Sequence, residues 1–332
     1  MRVYPALLIA LFVFSAFRFE VGCDWTGYLN QFEFQQFHTF KDTLTTSEPL
    51  WWALLATINQ LGLSYPWLNV VSSAIFFAGV HVFARRQPDP VGFLILLFPI
   101  LIINMPMSGI RQGAAIGVIC VAFTAFLDRR LYQFVGLVLL ASTLHTSAAI
   151  FLLLVPLARG RYTKSRLALS ALLALPGGLA LLSRGEFQLA LSRYVNTGID
   201  AAGASFRVGL LAITGIFFFS ILRRKWERWF PHDYPLVSIG ALMMLAITVL
   251  IPLSSVISDR LGYYLVPLQA MIFARIPYMR LGRFATAYSV APYIGLSAVF
   301  AIWTSKSWIF EICYLPYETW LFGFPESTTS LR

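Results

Sequence analysis

Charged residues are scarce in this chain. Only 12% of its 332 residues are Asp, Glu, Lys or Arg, whereas 58% are hydrophobic and the mean hydropathy is +0.72. Soluble domains carry roughly 25% charged residues, so this composition excludes an ordinary soluble domain. The alternating pattern of β-strands is also missing, while apolar runs of roughly 15–20 residues recur between short charged loops. These features predict an all-α, multi-pass membrane protein.

The motifs of soluble enzymes are missing as well. The sequence has no P-loop and no GxGxxG, GxSxG or HExxH motif. Its three cysteines, Cys23, Cys120 and Cys313, form neither a CxxC pair nor a zinc-ligand cluster. A D-x-D motif is absent too, which argues against a metal-dependent nucleotide-sugar transferase. We therefore predict no bound metal and no cofactor.

The net charge of +10 does not indicate a nucleic-acid partner, because the basic residues form no single stripe. They concentrate in loops between the apolar runs. If the N-terminus lies inside, most of the 25 basic residues face inward and most of the 15 acidic residues face outward, as the positive-inside rule requires. The C-terminus then lies outside. The inner basic clusters are at 85–86, 129–130, 159–166, 223–228 and 275–283.

We predict about eleven membrane spans. The first resembles a signal peptide, but no A-x-A cleavage site follows it, so we interpret it as a retained span. The predicted spans are 3–17, 66–84, 91–106, 109–127, 131–144, 146–158, 167–182, 206–222, 235–252, 261–275 and 284–304.

The segment EPLWWALLATINQLGL, residues 48–63, is apolar enough to cross a membrane. If it crossed, the later basic loops would face outward. We therefore interpret it as an interfacial or re-entrant helix on the outer face, with Trp51 and Trp52 at the headgroup level. An ordinary span is the alternative. We expect one membrane domain over residues 1–332, with outer loops at 18–65 and 183–205 and an outer tail at 305–332.

Arg111 begins an apolar helix at the end that this topology places outside. Small residues follow it at Gly113, Ala114, Ala115 and Gly117. An arginine that snorkels beside a tight helix contact would explain this pattern. The functional interpretation is a guanidinium that binds an anionic group at a helix start, where the helix dipole also favours anions.

His145 lies between two short apolar runs near the outer face. Its unperturbed pKa of about 6.5 would let it act as a general base near neutral pH. The alternative is a histidine that bonds a backbone carbonyl between packed helices.

Further arginines are scattered along the outer segments. Each alone can be a surface residue, but together with nearby tyrosines and tryptophans they indicate an outer cavity suited to phosphate and to sugar faces. In SDRLGYY, Asp259 directly precedes Arg260 and two tyrosines follow. The outer arginines are Arg18, Arg184, Arg193, Arg207 and Arg260.

Three short motifs give the chain a family resemblance. The first, R-[aromatic]-x-V-G-x-D-[aromatic]-x-x-Y, is formed by Arg18, Phe19, Val21, Gly22, Asp24, Trp25 and Tyr28. The second, I-R-Q-x-x-A, is formed by Ile110, Arg111, Gln112 and Ala115, and the third, H-x-S-A, by His145, Ser147 and Ala148. In this order and spacing they resemble the EpsG family of Wzy-like O-antigen and exopolysaccharide polymerases. Cys23 stands where threonine is common, and Trp25 where tyrosine is common.

The resemblance implies a metal-independent membrane glycosyltransferase of the GT-C kind in the bacterial inner (plasma) membrane. With the topology that the charges predict, its N-terminus would be cytoplasmic and its C-terminus periplasmic. It would transfer a glycan from one undecaprenyl-diphosphate-linked oligosaccharide to another on the periplasmic face. Membrane lipid and a separate chain-length co-polymerase are the further partners that it implies. The product would be O-antigen, capsule or exopolysaccharide.

On this basis we hypothesise that Arg111 and Arg18 bind the substrate diphosphate, with Arg260 and Arg207 as further partners. Their charges would neutralise the leaving group in place of a metal.

His145 is the candidate base for the acceptor hydroxyl, and Asp24 is the rival base or a residue that orients Arg18 or a sugar. Tyr28, Trp51 and Trp52 are candidates to stack on sugars.

Other functions stay open at this point. A transporter or flippase would need polar residues deep within several spans and internal repeats, whereas here the charges crowd one face. An acyltransferase would have its catalytic side inside, and an O-antigen ligase is close in chemistry. Cys23 and Cys313 both fall outside in this topology, which would permit a disulfide if their Cα atoms come within about 7 Å.

Overall fold

The computed structural model describes residues 3–43, 45–158, 165, 168 and 203–325. Apart from residue 168, the predicted span at 167–182 lies outside the described residues, and so does the predicted loop at 183–205 up to residue 202. The final seven residues of the predicted outer tail also lie outside them.

The described residues are helical apart from short connections and one pair of two-residue strands, so the all-α prediction is confirmed for this part of the chain. In its N-terminal half the elements are α1 Val3–Ala16, β1 Arg18–Phe19, α2 Trp25–Gln35, α3 Phe40–Thr43, α4 Pro49–Gln60, α5 Pro66–Ala84, α6 Pro90–Leu97 with a π-helical turn Phe98–Ile102, α7 Ile110–Leu127, α8 Leu131–Leu144 and the 3₁₀ helix Thr146–Leu157.

The C-terminal half repeats this style of long helices that end in a tighter or wider turn. Its elements are α9 Ala204–Phe217 with a π-helical turn Phe218–Leu222, α10 Arg223–Trp229, α11 Tyr234–Ala246 with a 3₁₀ turn Ile247–Leu250, α12 Ser255–Arg275, the 3₁₀ turns Ile276–Tyr278 and Gly282–Phe284, α13 Ala285–Lys306, α14 Trp308–Tyr314 and β2 Glu318–Thr319.

Within the described residues, four helical stretches are long and apolar enough to cross a membrane: Pro66–Ala84, Ile110–Leu127, Ala204–Trp229 and Gly282–Lys306. Five more apolar helices are shorter and coincide with other predicted spans: Val3–Ala16, Pro90–Ile102, Leu131–Leu144, Thr146–Leu157 and Tyr234–Leu250. Membrane character therefore agrees with the sequence, whereas the total of about eleven crossings stays a prediction.

The doubtful segment at 48–63 forms α4, which has only 12 residues. A helix of that length measures about 18 Å, well short of the roughly 30 Å hydrocarbon core. Pro49 begins the helix, and a turn at Gly62, which has φ +67°, ends it before α5. By itself α4 is therefore too short to span, while its position on the outer face stays a prediction.

The chain divides into two compact units, so the expected single domain has internal structure. The first unit comprises residues 1–121, 140–146 and 286–332, and the second comprises residues 122–139 and 147–285.

In the first unit, α5 and α7 approach so closely that their backbones touch. A Cβ on Gly79 would lie 1.8 Å from the carbonyl oxygen of Gly117, and a Cβ on Gly117 would lie 2.6 Å from the carbonyl oxygen of Ile75. Small residues allow this approach between helices in a membrane. The small residues after Arg111 therefore include one that makes a tight helix contact.

In the second unit, α9 packs against both α11 and α12. A buried Gln269 on α12 donates a hydrogen bond to Thr214 Oγ1 of α9 at 2.8 Å. At one end of this unit, Asp233 pairs with the buried Arg275, whose guanidinium lies 4.8 Å from the ring centre of Phe230. These contacts fix how the three helices pack.

Replacing Gly79 by alanine tests the close approach of α5 and α7. The added methyl has no room, so we expect Gly79→Ala to destabilise the protein by about 1–3 kcal/mol. Gly136 of α8 is the matched control, because a Cβ there meets nothing within 4 Å. Gly136→Ala should be neutral, or stabilising by up to about 1 kcal/mol through helix propensity. Thermal unfolding in detergent measures both, and equal melting temperatures for the two variants would contradict this packing.

Candidate functional site

The Glu48 carboxylate is the centre of a buried polar group in the first unit. It directly precedes α4 and is 5% exposed. Its Oε2 lies 2.6 Å from Arg111 Nη1, and its Oε1 lies 2.7 Å from His145 Nδ1. One carboxylate therefore joins an arginine and a histidine that lie 34 residues apart in the sequence.

The residue after His145 completes the group. Thr146 donates to Glu48 Oε1 from its backbone N–H at 2.9 Å and from its hydroxyl at 3.3 Å. Arg111 lies in the first turn of α7, and α8 ends at Leu144. His145 and the Thr146 N–H therefore follow the end of α8 and can bond to Glu48. Donors from two helix termini thus converge on an acid that begins a third helix.

The environment of Glu48 keeps its carboxylate charged. Burial raises the pKa of Glu48, but the His145 hydrogen bond, the Arg111 charge and the Thr146 N–H outweigh burial, so the pKa falls below its ordinary value of 4.5. An ionised carboxylate only accepts hydrogen bonds, so His145 Nδ1 is the donor. Its Nε2 is then the ring nitrogen that carries the lone pair in the neutral imidazole.

Arg111 keeps hydrogen-bonding capacity beyond its bond to Glu48. Its side chain is 25% exposed, and its contact with Glu48 uses Nη1. Its buried Nε has no hydrogen-bond partner in the described part of the chain. A guanidinium has five N–H donors, so Arg111 can bind an anion while it stays paired with Glu48.

Glu48, the first residue of the apolar segment at 48–63, therefore brings together two predicted site residues, Arg111 and His145. A signal for Glu48 did exist. It is an acid placed directly before a membrane-grade apolar run, where an ionisable group is costly and often functional. What the sequence did not contain was the identity of its partners.

The first motif packs against the turn before α7. Gly22 has φ +104°, and a Cβ there would lie 1.9 Å from the carbonyl oxygen of Met107. The backbone N–H of Asp24 donates to Ser108 Oγ at 3.3 Å. Glycine is thus required in the first motif because that motif lies directly on the turn that leads into the second motif.

Arg18 and Asp24 do not bind one another in this structure. Arg18 is 1% exposed and its Cζ lies 5.5 Å from the ring centre of Trp25, while the Asp24 side chain is exposed. No acid among the described residues forms an ion pair with Arg18. Orientation of Arg18 by Asp24 is therefore not seen, and the role of each toward substrate stays a prediction.

The three aromatic residues predicted to stack on sugars belong to a hydrophobic cluster. Tyr28 is 8% exposed, Trp51 is fully buried, and Trp52 packs against the cluster while half-buried. The rings of Tyr28 and Trp51 meet edge to face at 5.4 Å, and Trp51 Nε1 donates to Gln31 Oε1 at 3.2 Å. Trp51 serves packing here, so its contact with a sugar would need the cluster to open.

Arg207 and Arg260 both belong to the second unit. Arg207 forms a two-pronged pair with Asp259, with Nε–Oδ1 and Nη2–Oδ2 distances of 2.7 Å, and its guanidinium lies 5.5 Å from the ring centre of Tyr263. Asp259 is thus paired with an arginine of another helix, although Arg260 is its neighbour in the sequence. The charge of Arg207 is therefore matched by Asp259. The side chain of Arg260 is half-buried.

A disulfide joins Cys23 to Cys313, with their Cα atoms 4.8 Å apart. The Gly22 N–H next to it donates to the Cys313 carbonyl, and β1 pairs antiparallel with β2 through Arg18 and Thr319. These bonds tie the first motif to the segment after the last long helix. Cys120, the remaining cysteine, is free and buried.

Comparisons with known proteins agree with the motifs. The model of the EpsG family matches residues 1–319, which run to the end of β2. No curated protein and no solved structure matches the chain.

Thiol counting tests the disulfide. Denatured without reductant, the wild-type protein should react with one equivalent of a maleimide, at Cys120, and after reduction with all three cysteines. Cys120→Ser is the control, with no reactive thiol before reduction. Three reactive thiols in the unreduced wild-type protein would show that Cys23 and Cys313 are not bonded.

Acid titration tests the charge of Glu48. Because the folded-state pKa of Glu48 is lowered, its ionic bonds stabilise the fold above the ordinary value of 4.5 and are lost as the pH falls below it. We expect Glu48→Gln to cost about 1.5–3 kcal/mol near neutral pH. The gap in melting temperature from wild type should shrink as the pH falls below 4.5. A gap that closes already above about pH 5 would contradict a lowered pKa.

Proposed function

Because this chain belongs to the EpsG family of Wzy-like exopolysaccharide polymerases, we propose that it is a membrane polysaccharide polymerase. It transfers a glycan from one undecaprenyl-diphosphate-linked oligosaccharide to the non-reducing end of another. The single observation that carries the proposal is the Glu48 carboxylate, which holds Arg111 and His145 beside one another. A cation for a diphosphate and a base for a hydroxyl are what this reaction needs.

The chemistry balances with these groups. The acceptor hydroxyl gives its proton to His145 Nε2 as its oxygen attacks the anomeric carbon of the donor. The bond between that carbon and the phosphate oxygen breaks, and the electron pair leaves with the undecaprenyl diphosphate. Glu48 accepts from Nδ1 and stabilises the imidazolium that forms. Arg111 neutralises the charge that develops on the leaving group without a metal.

The other residues take supporting roles in this proposal. Arg18 is a second cation for the diphosphate, with Arg260 and Arg207 as further partners. Since Asp259 already matches the charge of Arg207, a contact of Arg207 with phosphate would have to share that guanidinium. Asp24 is the rival base.

Stacking on sugar rings is assigned to three aromatic residues of α2 and α4. Trp52 suits this role best of the three, since it is the least buried. The others are Tyr28 and Trp51.

The reaction takes place on the periplasmic face of the bacterial inner membrane, with the N-terminus cytoplasmic and the C-terminus periplasmic. The disulfide supports this orientation, because disulfides persist in the periplasm and are rare in the cytosol. It would place both Cys23 and Cys313 outside. A GT-C-like arrangement of about eleven spans, surrounding membrane lipid and a chain-length co-polymerase complete the proposal.

Complementation of a gene deletion tests the activity. Cells would express wild type, Arg111→Ala, His145→Ala or Glu48→Gln, and their surface glycan would be resolved by size. We expect the deletion to reduce the ladder to a single repeat unit and wild type to restore it. Loss of a general base lowers rates by about 10²–10⁴-fold, so His145→Ala should leave only the single unit.

Glu33→Gln is the matched control for Glu48→Gln, because Glu33 is exposed on α2. It should restore the full ladder. Loss of even the single-unit product in the deletion strain would favour a flippase, a ligase or an earlier step. A wild-type ladder from Arg111→Ala would refute the role of Arg111.

A further inference from the structure

Buried polar atoms without hydrogen-bond partners concentrate in one place in the first unit. Ten buried side-chain atoms lack a partner among the described residues, and six of them belong to only four side chains. The six are Arg18 Nε and Nη1, Tyr65 Oη, Asn69 Oδ1 and Nδ2, and Ser73 Oγ. Native interiors pair nearly all such atoms, so this concentration requires a physical cause.

Three of the four side chains lie along the start of α5, and the fourth, Arg18, belongs to β1, which packs against α5. Tyr65, Asn69 and Ser73 follow at four-residue intervals, so they share one face at the start of α5. Trp25 connects this face to Arg18, because the Arg18 Cζ lies 5.5 Å from the Trp25 ring centre and the Tyr65 ring centre lies 4.7 Å from it. The hydroxyl of Tyr65 is directed toward Asn69 but makes no hydrogen bond of normal geometry with it.

Burial makes unpaired polar groups costly at these four positions. Tyr65, Asn69 and Ser73 are 3%, 0% and 0% exposed, and Arg18 is 1% exposed without an acidic partner in the described part of the chain. An unpaired buried cation is among the most unfavourable groups in a protein. The hydroxyl of the neighbouring Ser72 donates a hydrogen bond to the Leu68 carbonyl at 2.8 Å. A serine in this turn of α5 can therefore be paired within its own helix, whereas the Ser73 hydroxyl has no partner among the described residues.

We propose that Arg18, Tyr65 and Asn69, with Ser73 one turn further along α5, form an oxyanion pocket that binds a phosphate group. The guanidinium supplies charge and directed N–H donors, and the phenol, amide and hydroxyl supply further donors of the kind that phosphate oxygens accept. That this phosphate belongs to a lipid diphosphate rests on the proposed function, in which both the substrate and the leaving group are lipid diphosphates. Free diphosphate has the same chemistry and is the alternative source.

A cavity of about 320 Å³ adjoins Trp25. Phe19, Cys313 and Pro316 also line it, together with two acidic residues, Glu20 and Glu318. Arg18 does not line this cavity, whereas Trp25 lines it and has its ring centre 5.5 Å from the Arg18 Cζ.

Thermal unfolding of the purified full-length protein in detergent tests the pocket. The probes are farnesyl diphosphate, inorganic pyrophosphate and farnesol. We expect farnesyl diphosphate, at a hundred-fold excess over Kd, to raise the melting temperature by about 5 °C and farnesol to leave it unchanged. A rise with pyrophosphate as well shows that the phosphate alone is recognised. A rise with pyrophosphate and none with farnesyl diphosphate would overturn the lipid source, and no rise with either would overturn the pocket.

Variants separate a binding site from a merely imperfect core. Asn69→Leu and Arg18→Met remove unpaired buried groups, so each should raise the melting temperature without ligand by at least about 2 °C and abolish the response to farnesyl diphosphate. Tyr65→Phe should weaken the response with little other change. The control is Tyr4→Phe, because the Tyr4 hydroxyl is bonded to His81 Nδ1 at 2.9 Å. It should lower the melting temperature and keep the response.

A full response in both Asn69→Leu and Tyr65→Phe would overturn the pocket even if farnesyl diphosphate stabilises wild type, since binding would then occur elsewhere, for instance at Arg111. This result is distinguishable from a failure of the proposed function. The glycan ladder reports the polymerase activity in cells, whereas the melting response reports the pocket in purified protein.

Discussion

One buried carboxylate organises the candidate site. Glu48 accepts hydrogen bonds from Arg111, His145 and Thr146, which come from the start of one helix and the region just after another. A buried anion must be matched in charge and in hydrogen bonds. The position of Glu48 therefore constrains the positions of its three donors. The positions of α4, α7 and α8 at this end are therefore coupled through a single side chain. Any movement that separates them would leave Glu48 or Arg111 unpaired.

Much of the fold and part of the candidate site could be predicted from the sequence. Apolar run lengths placed α5, α7 and α13 close to their true bounds, because membrane-crossing helices are set by local hydrophobicity. Arg111 and His145 stood out because each interrupts an apolar run. Glu48 was missed because its bonds reach 97 residues along the chain to His145, and no local periodicity encodes a contact of that range. Burial of Trp51 was missed for the same reason, since its neighbours come from α2.

The first motif shows why a short pattern can be informative without naming its function. Gly22 is needed where the backbone of this segment touches Met107, and the segment then presents Asp24 to Ser108. A glycine fixed by such an approach, next to an arginine buried behind Trp25, constrains the sequence more strongly than a surface loop would. The pattern therefore reflects the packing of two segments against each other, and within it the Arg18 side chain is buried beside Trp25.

The Cys23–Cys313 bond closes a loop with a sequence separation of 290 residues. Its second cysteine follows the last long helix, so the bond forms only after nearly all the helices have been synthesised and inserted. During synthesis, the segment around Arg18 therefore stays without its disulfide until Cys313 has been added to the chain. This bond is therefore completed late in synthesis, and it persists only where the surrounding compartment is oxidising.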